Sequence, residues 1–147
     1  MRGVRLGVDV GQVRIGVAKS DPDGILATPI KTIKRDNSDT LAVPADMVEL
    51  AQLVDEHESV EVVLGLPIDL AGRVGPAAIH VRAYADKLAQ VIAPVPVVLT
   101  DERMSTVAAT RRLSDRGVKG RRQRAVVDQA AAVEILQSWL DAQRRQG

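Results

Sequence analysis

Short apolar runs of strand length give way along this chain to segments whose apolar residues recur at helical spacing. Residues 4 to 10 predict a buried strand and Val13 to Ser20 a second, with Gly11-Gln12 as the tight hairpin between them. Asp21-Pro22-Asp23-Gly24 is a turn, and Ile25 to Ile33 follows as a third strand. Pro29 has no N–H to give a central ladder, so this strand belongs at or near an edge. The polar stretch Arg35 to Thr40 reads as a mobile loop. Pro44 then suits the first position of a helix, in which Met47, Leu50, Ala51 and Val54 line one face.

Val60 to Leu66 is apolar except for Glu61, the pattern of a strand covered on both faces. The loop from Gly65 to Pro76 carries glycines at 65, 72 and 75 at the carboxyl end of this strand, where open α/β sheets commonly build ligand sites. Pro76 opens a helix with Ala77, Val81, Tyr84 and Leu88 inward, and Val95 to Thr100 is the next strand. Ser105 or Thr106 caps a further helix ending near Gly117, and a last helix runs from about Arg122 to Ala142 with a frayed tail. The order β-β-β-α-β-α-β-α-α predicts one α/β domain over residues 1–147. Its sheet is mixed, an antiparallel β-meander followed by alternating helices and strands.

Three acids sit badly in this pattern. Asp9 ends the opening apolar run, Glu102 follows Pro96-Val97-Val98-Leu99 closely, and Asp128 aligns with Ala131, Ala132, Ile135 and Trp139 on the stripe of the last helix. Burying a carboxylate costs several kcal/mol unless a counter-charge meets it. Each acid also has a plainer use: Asp9 as a cap on the hairpin, Asp128 as a partner of its helix N-terminus, and either Asp101 or Glu102 as a partner of Arg103. A parallel pairing of the first and later strands would bring Asp9 and Glu102 to one edge of the sheet. Oxygen ligands from separate elements suit Mg²⁺ or Mn²⁺, and two such ions promote phosphodiester hydrolysis without a His, Cys or Ser base. His57 and His80 lie among charged residues in helical contexts and read as surface positions.

Composition narrows the chemistry. The chain has 147 residues, enough for a sizeable core, and 46% of them are apolar. With no Phe, one Trp and one Tyr, there is little scope for stacking bases on aromatic rings. The absence of cysteine excludes disulfides and thiolate metal sites. No apolar run approaches a membrane span and no secretory signal opens the chain, so a cytoplasmic location is expected. The net charge is only +1, but it is unevenly spread: residues 36 to 61 are acid-rich, whereas Arg111, Arg112, Arg116, Lys119, Arg121, Arg122 and Arg124 face the single acid Asp115 within 111 to 124. Lys119, Arg121, Arg122 and Arg124 directly precede Asp128, placing a phosphate-binding strip beside a candidate metal ligand.

Gly7-Val8-Asp9-Val10-Gly11 with Arg14-Ile15-Gly16-Val17-Ala18, Val63-Leu64-Gly65-Leu66-Pro67, Asp101-Glu102-Arg103-Met104-Ser105-Thr106 and Asp128-Gln129-Ala130-Ala131-Ala132 occur in that order. Together they resemble the YqgF/RuvX family of pre-16S rRNA nucleases and Holliday junction resolvases. The resemblance implies an RNase H-like fold in which Asp9, Glu102 and Asp128 form the acidic catalytic and metal site. Arg103, next to Glu102, joins Lys119, Arg121, Arg122 and Arg124 as a candidate nucleic-acid contact. Where the family often has Asp-Gly after Gly-Leu-Pro, this chain has Ala71-Gly72, with Asp69 nearby as a substitute.

The leading expectation is a Mg²⁺- or Mn²⁺-dependent endonuclease in 5′ processing of pre-16S rRNA, acting on free precursor or on ribosomal precursor particles. A resolvase of branched DNA is the alternative. It would need a two-fold homodimer, whereas an rRNA-processing enzyme can act as a monomer. Two readings of other classes stand beside these: an actin-like ATP-binding protein, from Asp9-Val10-Gly11 before a hairpin, and a non-catalytic nucleic-acid binding module.

Overall fold

The computed structural model describes residues 2–68, 71–104 and 121–146, and for 104 and 121–125 the backbone alone. Strands β1 (Arg5–Val10), β2 (Arg14–Ser20) and β3 (Ala27–Lys34) form the expected antiparallel meander. Helix α1 (Ala45–Glu56), β4 (Glu61–Leu66), α2 (Pro76–Val91) and β5 (Val97–Asp101) follow, then a single 3₁₀ turn at Glu102–Met104 and helix α3 (Arg121–Gln146). The helix expected between Ser105 and Gly117 and the candidate Asp69 lie outside the described residues.

The strands form one sheet in the order β3-β2-β1-β4-β5. β1, β4 and β5 run parallel, so their carboxyl ends share one edge. Alternation along each strand divides the apolar residues between two layers. Leu6, Val8, Ile15, Val17, Val62 and Leu64 pack with Met47, Leu50 and Val54 of α1 and Val81, Tyr84 and Leu88 of α2. On the other face Ala18, Ala27 and Val63 meet Ala131, Ala132, Ile135, Leu136 and Leu140 of α3.

Several boundaries move for local reasons. β3 starts at Ala27 rather than Ile25 because the Asp21 carboxylate accepts the amides of Ile25 and Leu26 at 2.9 and 2.7 Å, holding them in the turn. Pro29 does lie on the edge strand, where the ladder with β2 shifts register between Val17 and Ala18. Pro44 sits just before α1, whose first amide, from Ala45, donates to Asp36 at 2.9 Å. In α2 the inward alanines are Ala78 and Ala85, while Ala77 is exposed. The C-terminal tail stays helical through Gln146, tied down by Arg144, which donates to the Gly24 carbonyl at 2.7 Å. Among the described residues no helix is long and apolar enough to cross a membrane.

Candidate active site

Helix α3 lies almost directly on the sheet because glycines leave no side chain in its way. A Cβ at Gly16 would stand 1.9 Å from the Asp128 carbonyl oxygen, and one at Gly7 would stand 2.6 Å from Leu136 Cβ. Both distances are well inside contact, so α3 can take this seat only over glycine. The consequence is geometric. Gly16 pairs with Asp9 across the β1–β2 ladder, and cross-strand partners project to the same face. Asp9, 4% exposed, therefore stands on the α3 side of the sheet beside the backbone of Asp128.

Glu102 reaches the same place from β5. A Cβ at Gly65 would lie 2.9 Å from Glu102 Oε1 and 2.6 Å from Ile135 Cδ1, so the glutamate folds back over Gly65 beneath α3. The β1–β4 register ends at Val8 with Leu64, and one further step sets Asp9 beside Gly65. The three acids singled out in the sequence thus lie on one face at one edge of the sheet. Glu102 is 6% exposed, and burial, reinforced by the neighbouring Asp101 charge, pushes its carboxyl up to about 7.

The two acids at the end of β5 part company. Arg103 donates through Nε and Nη2 to Asp101 Oδ2 at 2.9 and 2.7 Å, and its amide donates to Asp101 Oδ1 at 2.9 Å. These bonds hold the Asp101 carboxyl below its ordinary range. Arg103 is the partner of Asp101, and Glu102 is the buried one of the two acids.

Asp128 is half-buried rather than fully inward, and it has a counter-charge that the sequence pattern did not reveal. Arg14, at the start of β2, donates from Nε to Asp128 Oδ2 at 2.7 Å. Among the described residues, no three His, Asp or Glu side chains stand close enough together to hold a metal ion in this arrangement. The donor set is nonetheless of the right chemistry. It is all oxygen, and a divalent cation would relieve the cost of ionising the buried Glu102.

A second buried charge cluster, also unforeseen, supports the β1–β2 turn from behind. Arg35 faces Asp46, 1% exposed, at 3.2 Å, stacks over the Tyr84 ring at 4.8 Å and donates to the Gly11 carbonyl at 2.8 Å. The Tyr84 hydroxyl donates to Asp46 at 3.2 Å, and burial followed by the Asp46 charge raises its pKa. The Arg35 amide donates to Val13 O at 2.9 Å and Asn37 Nδ2 to Gln12 O at 3.1 Å, so all three turn carbonyls are held by residues 35 and 37. The stretch expected to be a mobile loop is this clamp. His80 is exposed, as expected, and contacts Arg35 Nη1 through Nε2 at 3.1 Å.

The basic strip is only partly in view. Arg121, Arg122 and Arg124 fall on the first turns of α3, with their side chains outside the description, and Lys119 lies outside the described residues.

A family model for RuvX, described as Holliday junction resolvase, matches residues 3–142. The chain belongs to the RuvX family. Similarity to individual RuvX-type proteins runs nearly end to end. A protein of Streptomyces avermitilis named "Putative pre-16S rRNA nuclease" is 58% identical over 147 residues, covering 99% of this chain and 90% of its own length. One of the same name from Mycobacterium sp. (strain KMS) is 57% identical over 143 residues, covering 97% of this chain and 82% of its own length. With these relatives the chain is a nuclease, a hydrolase of phosphodiester bonds.

In shape it resembles the Thermus thermophilus RuvC of a complex with a Holliday junction substrate, at a TM-score of 0.58 and 16% identity over 97% of this chain and 96% of that one. That likeness is one of fold. The fold is RNase H-like, as the sequence resemblance implied.

Proposed function

We propose that this nuclease cleaves with Mg²⁺ or Mn²⁺ held by Asp9, Glu102 and Asp128, and that it acts in the cytoplasm in 5′ processing of pre-16S rRNA. The observation that carries the reading is the burial of Asp9 and Glu102 on the α3 face of one sheet edge, beside the backbone of Asp128, with the Glu102 carboxyl raised to about 7. Burial disfavours the charged form of this carboxyl, and a divalent cation would relieve that cost.

Bound divalent ions would supply an activated water and stabilise the leaving oxygen. The chain's own residues do the rest. Asp9, on β1, and Glu102, in the turn directly after β5, present oxygens at the sheet edge, and Asp128 closes the site from α3. Lys119, Arg121, Arg122 and Arg124 draw the phosphate backbone toward Asp128. Arg35, through the Gly11 carbonyl, keeps the turn behind Asp9 in place.

The rRNA substrate is favoured by the names of the relatives that match along nearly the whole chain. Asp9→Asn and Asp128→Asn should each abolish cleavage of a pre-16S rRNA 5′ fragment in purified, folded protein, and metal-dependent cleavage retained by either variant would sink the assignment. The family's description favours a second reading, resolution of four-way DNA junctions. Symmetric nicking of a mobile junction by a homodimer, with the rRNA fragment left intact, would establish it instead.

A further inference from the structure

Arg14 holds Asp128 in an ion pair at 2.7 Å. Resting on the assignment of Asp128 as a metal ligand, we propose that Arg14 competes with the divalent ion for this carboxylate. Its guanidinium neutralises Asp128 in the metal-free protein and is displaced when the ion binds, so the pair sets the metal concentration at which the site loads.

The backbone on both sides of the pair is fixed. The Asp128 carbonyl is pressed against Gly16, and the Arg14 carbonyl accepts the Gly11 amide at 2.9 Å. Any exchange of partners is therefore a side-chain movement, not a shift of α3 or of the hairpin. The side chains are 29% and 21% exposed, for Arg14 and Asp128 respectively. That is buried enough for the attraction to exceed that of a screened surface pair, yet wet enough for the pair to open without stranding a dry charge.

Arg14 and Gly16 lie two residues apart on β2 and so project to one face, and Gly16 is the partner of Asp9. The guanidinium therefore stands on the same face as two of the acids, where a divalent ion held by them would repel it. Arg14 is the cation that Asp128 meets among the described residues, and the ion must take its place. A residue that only oriented Asp128 would instead help the ion to bind, which gives the two roles opposite signs.

The test is calorimetric titration of Mn²⁺ into the wild-type chain, Arg14→Gln and Asp9→Asn near neutral pH. Arg14→Gln should bind Mn²⁺ at least about tenfold more tightly than wild type, as expected from removing one charge-assisted competitor, while Asp9→Asn binds more weakly. Equal or weaker binding by Arg14→Gln, with wild type binding normally, overturns the competition and leaves the metal-dependent reading intact. Absence of Mn²⁺ binding in both overturns the metal reading and this inference together. Should Arg14→Gln not fold, the Arg14 Nε–H resonance of the wild type decides: saturating Mg²⁺ should shift it to the position of a solvated guanidinium, and a resonance unmoved by Mg²⁺ overturns the proposal.

Discussion

A carboxylate raised to about 7 makes the fold itself sensitive to pH, and Glu102 shows the sign. Its ordinary value is 4.5, so between 4.5 and 7 the folded chain holds a proton that the unfolded chain has released. Metal-free stability should therefore fall as pH rises through this window. Above it, the ionised Glu102 weakens the fold by on the order of 3 kcal/mol. Denaturant unfolding in EDTA at pH below and above the window should show this loss in the wild type and little of it in Glu102→Gln, which should be the more stable protein on the alkaline side. Equal pH slopes in the two would refute it. Asp46 has the opposite character. It is buried with its counter-ion Arg35, so Asp46→Ala leaves a guanidinium without its charge partner and should cost about 3 to 5 kcal/mol in the same measurement. Burial thus acts on the two acids differently: Asp46 lies against an arginine, whereas the Glu102 carboxyl is pushed up by desolvation and the Asp101 charge.

Helix α3 joins the acids to the sheet, and glycine is what lets it do so. Gly16→Ala would drive a methyl into the Asp128 carbonyl oxygen, a backbone atom that cannot rotate away, so α3 must lift. The expected result is a loss of a few kcal/mol in stability together with loss of cleavage, measured by thermal unfolding and by turnover. Gly75→Ala, whose Cβ would meet nothing within 4 Å, should leave both nearly unchanged. This element also shows what the sequence could and could not disclose. The stripe from Ala131 to Leu140 is periodic and local, so the helix and its inward face were legible, and Asp128 stood out against them. Gly7, Gly16 and Gly65 were visible as residues, but their common purpose depends on strand register, which no local pattern encodes. Arg14 and Arg35 escaped for a related reason. Their partners Asp128 and Asp46 lie 114 and 11 positions away, and a charged residue at or just beyond the end of a strand looks the same in sequence whether it ends in solvent or against a buried carboxylate.

At the scale of the whole molecule, a net charge of +1 cannot attract a polyanion, so affinity must come from uneven charge. The acid-rich stretch from 36 to 61 spans the segment after β3, α1 and the start of β4, and α1 packs on the sheet face away from α3. Residues 121, 122 and 124 lie on the first turns of α3, the helix that packs on the side of the acids. Substrate should therefore approach from the side of α3 and the acids, away from the acid-rich α1. Counter-ions released from the nucleic acid make this measurable, because the salt dependence of affinity counts the phosphates that the protein neutralises. The triple variant Arg121→Gln, Arg122→Gln, Arg124→Gln removes three cations from that strip. On single-stranded RNA, with Ca²⁺ in place of a catalytic ion, the slope of log affinity against log salt should become shallower by about 2, at roughly 0.7 for each phosphate no longer neutralised. Replacing three cations distant from the strip, Arg82, Lys87 and Arg145, with glutamine changes net charge equally and should leave the slope nearly as it was. A similar change in both variants would mean that bulk charge, and not the strip beside Asp128, holds the substrate.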